Sequence, residues 1–245
     1  KGFMDSLVYA VLSVLSTALL RLTLKHCAVR STNAWGTLTV YHIGATIVLI
    51  PFLGIPTLST LSQTQILLLL ATGALFSVAS LLDIAAMKHI DASAGEIFHT
   101  LTFIVSVGAG LVMFHEACSL SKILGTLIIA AGIVYEARVA FTKASHGFWL
   151  KLGSAALIAA AMVITKKLTS NTPPEIIILS GFILPGIVYS IFGWRSLAEI
   201  PSAVRDSGGV LLVVPILDAL SYTFGIRALA GGEMSTTYII FQTTI

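Results

Sequence analysis

The chain has 245 residues, of which 56% are hydrophobic and only 10% charged, with a formal net charge of +3. A water-soluble domain carries roughly 25% charged residues, so this composition excludes a soluble globule and calls for a membrane protein. The 14 Lys+Arg are scattered singly or in pairs, which excludes a nucleic-acid surface. Cys27 and Cys118 provide neither a disulfide framework nor a zinc spacing.

Crossing the hydrocarbon core takes about 20 apolar residues in a helix. In chain order the apolar blocks predict spans at 6–24, 34–54, 65–87, 92–114, 120–140, 147–165, 175–194 and 209–229, with a ninth opening near Met234 and cut at Ile245. The punctuation between them is ordinary turn and cap chemistry: Arg30 to Asn33, Pro51 to Pro56, Ser119 as an N-cap, and Asn171 to Pro174.

The second half repeats the first. Residues 84–103 align without a gap to 226–245, an offset of 142 that pairs Asp91 with Glu233, Ser93 with Ser235, Glu96 with Tyr238 and Thr100 with Gln242. Leu24–Lys25 matches Thr165–Lys166 at an offset of 141. The offset holds five helices. An odd number places the two units in opposite orientations, as inverted repeats. The expected architecture is therefore an all-α membrane protein. It is a ten-helix bundle of two inverted five-helix repeats, spanning 1–143 and 144–245, truncated here within the ninth helix of the bundle. Roughly 38 further residues would complete the pattern, by the length of the first unit.

The loops after spans 1, 3, 5 and 7 hold nine Lys/Arg, among them Arg21, Lys25 and Lys151, against four after spans 2, 4, 6 and 8. The positive-inside rule puts the first set in the cytoplasm and the N-terminus outside.

Residues 92–136 carry a recognisable pattern: a helix of small residues, a turn at His115–Glu116, then a helix bearing Gly125, Leu127, Ile128 and Gly132. This resembles the fourth and fifth helices of the EamA family in the drug/metabolite transporter superfamily, although His115 stands where that family usually has Gly. The resemblance implies ten helices with both termini cytoplasmic, no enzymatic activity and no cofactor. It further implies export of metabolites or amino acids, with nucleotide-sugar or phosphate-ester exchange as the alternative. The bacterial inner membrane is the expected location and a eukaryotic organelle the other. Expected partners are a small-molecule substrate, the lipid bilayer, a coupled proton and, in a homodimer, a second copy.

Charged side chains inside a span cost about 2.5–3.5 kcal/mol at the bilayer centre and are tolerated when they face a cavity or a partner. In the fourth span Ser93, Glu96, His99, Thr100 and Phe103 share one helical face. Ser235, Tyr238, Phe241 and Gln242 occupy the matching face in the ninth. Together they would line two walls of an aqueous cavity. Asp83 and Asp218 are not equivalent in the repeat, and each could pair with His99 or Arg227. Substrate contacts are expected from Ser93, Glu96, His99, Thr100, Asp218, Tyr222, Tyr238 and Gln242. Glu96 and Asp83 are the proton-coupling candidates, because burial shifts a carboxyl toward the working range.

Remaining polar residues read as structural. His42 packs against a neighbour, Glu116 caps the fifth helix, Lys166 and Lys167 snorkel to an interface, and Gly125 and Gly132 mark close helix packing. Pro185 and Pro215 lie inside spans. Mid-span Lys/Arg is nearly absent, which argues for neutral or zwitterionic solutes over diphosphates. No His-Glu-x-x-His site, acidic metal cluster or nucleophile–base pair supports a membrane-embedded enzyme.

Overall fold

A computed structural model describes residues 2–30, 34–54, 61–90, 92–117, 119–140 and 146–241. Among them every regular element is helical: α1 (Gly2–Arg30), α2 (Ala34–Leu53), α3 (Gln63–Met87), α4 (Ala92–Met113), α5 (Leu120–Ala140), α6 (His146–Thr169), α7 (Pro174–Phe192), α8 (Ile200–Asp206), α9 (Val214–Gly231) and α10 (Met234–Phe241). Six segments are long and apolar enough to cross a bilayer: Asp5–Arg30, Ala34–Leu53, Gln63–Met87, His146–Thr169, Pro174–Phe192 and Val210–Gly231. Shorter apolar stretches at Ile104–Met113 and Lys122–Gly132 belong to α4 and α5.

The breaks follow local chemistry. Ser62 and Gln65 form a reciprocal capping box at the start of α3, and Gln65 also donates to the Asn171 carbonyl at 2.6 Å, tying that end to the α6–α7 turn. Pro173 and Pro174 open α7, where a missing N–H costs nothing. Ser119 caps α5 by accepting from the Lys122 amide at 3.3 Å. Pro185 lies inside α7, but Pro215 sits in the first turn of α9 rather than within it. The stretch between α7 and α9, expected as a loop, holds a 3₁₀ turn at Trp194–Glu199 and the short α8.

Polarity is inverted relative to a soluble core. Large apolar side chains such as Phe52, Val112, Ile128 and Phe192 face outward, while Lys151, Ser154, Thr165 and Ser235 are buried. That is the distribution a helical bundle adopts in lipid. The principal pairings are α1 with α9, α3 with α6, α2 with α7, α4 with α6 and α4 with α10. Small residues allow the closest approaches: a Cβ on Gly44 of α2 would come within 2.6 Å of Pro215, and one on Gly73 of α3 within 2.7 Å of Leu184. Gly125 and Gly132 do not play this part, since nothing lies within 4 Å of a Cβ built on either. Helix α5 packs only lightly on α4 and α10, which leaves its glycine face open and corrects the expected close packing.

The ends of the helices define two faces. On one, the end of α3 meets the start of α6 and the C-terminal half of α1, with Asp83 joined to Lys151 and Arg21. Helix α6 therefore starts on the face where α1 and α3 finish. On the other, the end of α6 meets the end of α9 through Lys166, beside the α4–α5 turn and the start of α10.

Candidate functional site

Asp83 lies near the end of α3, buried, with each carboxylate oxygen committed to a base. Oδ2 accepts from Arg21 of α1 at 2.9 Å, and Oδ1 from the ammonium of Lys151 in α6. Lys151 is almost completely enclosed, its side chain 1% exposed. Neither base was among the partners expected for Asp83; Arg227 instead stands over the Tyr9 ring at 5.8 Å. Arg21 and Lys151 lie within the span-length helices Asp5–Arg30 and His146–Thr169, where both pair with Asp83, and not in the loops to which the positive-inside count assigned them. Three formal charges bind α1, α3 and α6.

A second polar group surrounds Asp218 on α9. The Tyr41 hydroxyl of α2 faces the Asp218 carboxyl without closing a hydrogen bond, and Tyr222 follows one turn on along α9. The Tyr222 ring meets Phe182 of α7 at 5.3 Å between centroids, Phe182 meets His42 at 6.0 Å, and His42 meets Tyr41 at 4.4 Å. The five side chains close a ring across α2, α7 and α9. Phe76 of α3 abuts Tyr222 from outside it, edge to face. Several polar atoms here have no hydrogen-bond partner among the described residues: both ring nitrogens of His42 and the hydroxyls of Tyr222 and of Thr165 beside it. Tyr222 and Thr165 face one another without closing a bond. Buried polar atoms are nearly always satisfied, so orphans concentrated in one place mark where a ligand's polar groups can be received.

The α1–α9 and α3–α6 interfaces carry hydroxyl bonds to the opposing backbone. Ser13 donates to the Ser221 carbonyl at 2.9 Å, and Ser154 donates to the Ala79 carbonyl at 2.9 Å. Thr17 and Ser221 share a hydroxyl contact of 2.6 Å, next to the ring at Asp218.

On the other face Glu116 does not cap α5. Its carboxylate accepts from the Met234 amide at 2.5 Å, the Ser235 amide at 2.9 Å and the Ser235 hydroxyl at 2.5 Å, so it caps α10. The turn carrying it contains His115 at φ 51°, a left-handed conformation that costs a side chain about 1–2 kcal/mol and favours Gly. Lys122 donates to Glu233 at 2.5 Å and holds that carboxyl below its ordinary value, with Thr236 contributing and partial burial opposing. Lys166 does not snorkel: it donates to the carbonyls of Leu229 and Gly232 at the end of α9. Lys167 is exposed.

The structure therefore brings Asp218 and Tyr222 together and places Asp83 in a separate ion-pair cluster. Ser93, Glu96, His99 and Thr100 lie on α4 and Tyr238 on α10, but their side chains fall outside the described ones, as does that of Phe103. Gln242 and Cys118 lie outside the described residues altogether. Sequence reading missed Arg21, Lys151, Tyr41 and His42 as site neighbours. For Lys151 the signal was a lysine within five residues of the start of an apolar span; for Tyr41 and His42 no signal separated packing from ligation.

A multi-pass helical bundle with apolar outer faces and charged and hydroxyl groups sequestered between helices is an integral membrane protein built around a polar interior. The sequence model of the EamA-like transporter family matches residues 5–135, and the chain belongs to that family, within the drug/metabolite transporter superfamily. Members of the family are transporters and not enzymes. None of the curated proteins matches the chain.

Proposed function

We propose that this EamA family member is a secondary active transporter of small organic metabolites, exporting amino acids or similar neutral or zwitterionic solutes by alternating access. The observation that carries the reading is the ring of Tyr41, His42, Phe182, Asp218 and Tyr222, which gathers an acid and unpartnered polar atoms inside an apolar bundle. Transport, not catalysis, is the activity proposed, in a bacterial plasma membrane.

The architecture proposed is two inverted five-helix units, 1–143 and 144–245, which rock about a site between them. The packing supports this. Exchanging α1 with α6, α2 with α7, α3 with α9 and α4 with α10 turns the α1–α9 pairing into α6–α3, and leaves α2–α7 and α4–α10 unchanged. The family match over 5–135 falls within the first unit. Ser93, Glu96, His99, Thr100, Tyr238 and Gln242 complete the proposed solute contacts alongside Asp218 and Tyr222. Glu96 takes the coupled proton. Asp83 contributes to coupling through its two ion pairs, because protonating it would release Arg21 and Lys151.

Exchange of nucleotide sugars or phosphate esters is the second reading; Arg21 and Lys151, both within span-length helices, are the bases it would draw on. Thermal-shift screening of the purified protein against amino acids, amines, nucleotide sugars and phosphate esters separates the two, followed by proteoliposome flux of any hit. Stabilisation by amino acids, with flux abolished in Glu96→Gln, supports the first reading. Stabilisation by phosphorylated solutes alone replaces it with the second. Cysteine at Ser93 or Ser235, with Cys27 and Cys118 removed, should react with an aqueous thiol reagent in at least one state. If both stay unreactive in every state, the cavity is refuted.

A further inference from the structure

The two buried aspartates are treated differently by their surroundings. Asp83 has a base on each oxygen. Asp218 is 8% exposed, and among the described residues no base forms an ion pair with it. Arg21 lies within its electrostatic reach, but donates to Asp83. The Tyr41 phenol lies beside the Asp218 carboxyl and Tyr222 one turn along α9, and His42 and Phe182 join those two rings into one aromatic line. His42 is 4% exposed, and neither of its ring nitrogens meets a protein partner. A carboxyl buried without a base stays neutral by holding its proton or ionises against an incoming cation. Aromatic faces receive a desolvated ammonium through their quadrupoles, and an imidazole nitrogen and a phenol oxygen accept its remaining N–H bonds.

We propose that Asp218, Tyr41, His42 and Tyr222 form an amine-binding site, in which a solute's ammonium pairs with Asp218 between the aromatic rings and donates to His42 and Tyr222. The proposal rests on the transporter reading and narrows it: the recognised group is the protonated amine, and solutes lacking a carboxylate are accepted. Gly181 helps shape the wall, since a Cβ there would come within 2.7 Å of the Tyr222 ring. Asp218 supplies the charge selectivity. His42, read from the sequence as a packing residue, supplies directionality.

The test is equilibrium binding to the purified full chain in detergent, using primary amines from methylamine to benzylamine and phenethylamine. Benzyl alcohol and benzoate are the neutral and anionic counterparts. The expected result is saturable binding of at least one amine, with the alcohol and the acid at least about tenfold weaker. Asp218→Asn should weaken that amine by about tenfold or more, Asp218→Glu should retain most of the binding, and His42→Ala should weaken it severalfold. If Asp218→Asn does not fold, Tyr41→Phe and His42→Gln replace it, each expected to weaken amine binding severalfold. The proposal is overturned if no amine binds, if amine and alcohol bind alike, or if folded variants bind the amine as the wild type does. Flux measured on the same preparation separates the two claims. Amine binding without flux keeps the site and refutes the transporter reading; flux of solutes without an amine, in a protein that binds no amine, refutes the site alone.

Discussion

Lys25 and Lys166, 141 positions apart, close the ends of two helices in the same way. Lys25 donates to the carbonyls of Met87 at 2.6 Å and Ile90 at 2.7 Å; Lys166 donates to those of Leu229 at 2.7 Å and Gly232 at 2.6 Å. The two carbonyl pairs are themselves offset by 142. Ser13 and Ser154 repeat the relationship across the interfaces, with acceptors at Ser221 and Ala79 and the same 2.9 Å length. A helix end leaves its last carbonyls unpaired and carries partial negative charge, and an ammonium answers both needs.

Lys25→Met and Lys166→Met should each lower stability by about 1–3 kcal/mol, the cost of losing charged hydrogen bonds to otherwise unpaired carbonyls. Thermal unfolding in detergent reads the two shifts. Equal shifts are the expectation; a large loss at one site with none at the other would break the equivalence.

Asp83→Asn leaves the enclosed Lys151 ammonium uncompensated, and breaking such a pair costs about 3–5 kcal/mol. The double variant Asp83→Asn with Lys151→Met removes the stranded charge and should recover most of that loss. A double-mutant cycle measures the coupling. Simple additivity of the two single effects would show that the ion pair is not the source.

Glu116→Gln should loosen the first turn of α10, with an effect of about 0.5–2 kcal/mol as for other helix caps. Hydrogen exchange at the Met234 and Ser235 amides is the local readout, and both should exchange about tenfold faster or more. Unchanged protection there would mean that the cap at α10 is held by something other than Glu116.

The Lys122–Glu233 pair makes a signed pH prediction. The carboxyl is held below its ordinary 4.5, so the folded state binds its proton less readily than the unfolded state. Its contribution is therefore complete above the unfolded value and lost as pH falls through the folded one. Glu233 is 46% exposed, which limits the contribution to under about 1 kcal/mol. Glu233→Gln should be less stable than the wild type near pH 7, and the difference should vanish in acid. A difference that grows in acid would reverse the assignment.

Membrane class and the positions of most helices were legible in the sequence, because each rests on local or periodic information. An apolar run of span length forms a helix in lipid whatever its neighbours do. Pairing was not legible. Lys151 read as a loop charge until α6 was seen to begin against the end of α3, and Glu116 read as a cap for its own following helix until α10 was found against its turn. Lys166 read as an interfacial lysine until the end of α9 lay beside it. The open glycine face of α5 has the same origin, since Gly125 and Gly132 have the spacing for packing and no neighbour to pack on. Side-chain reach is a few ångströms, and the partners of these groups lie 60 to 120 residues away in the chain. Composition and periodicity thus determined that the chain is a bundle of membrane helices, while only the packing of those helices decided which buried groups meet, Asp83 with Arg21 and Lys151 and Asp218 with Tyr41.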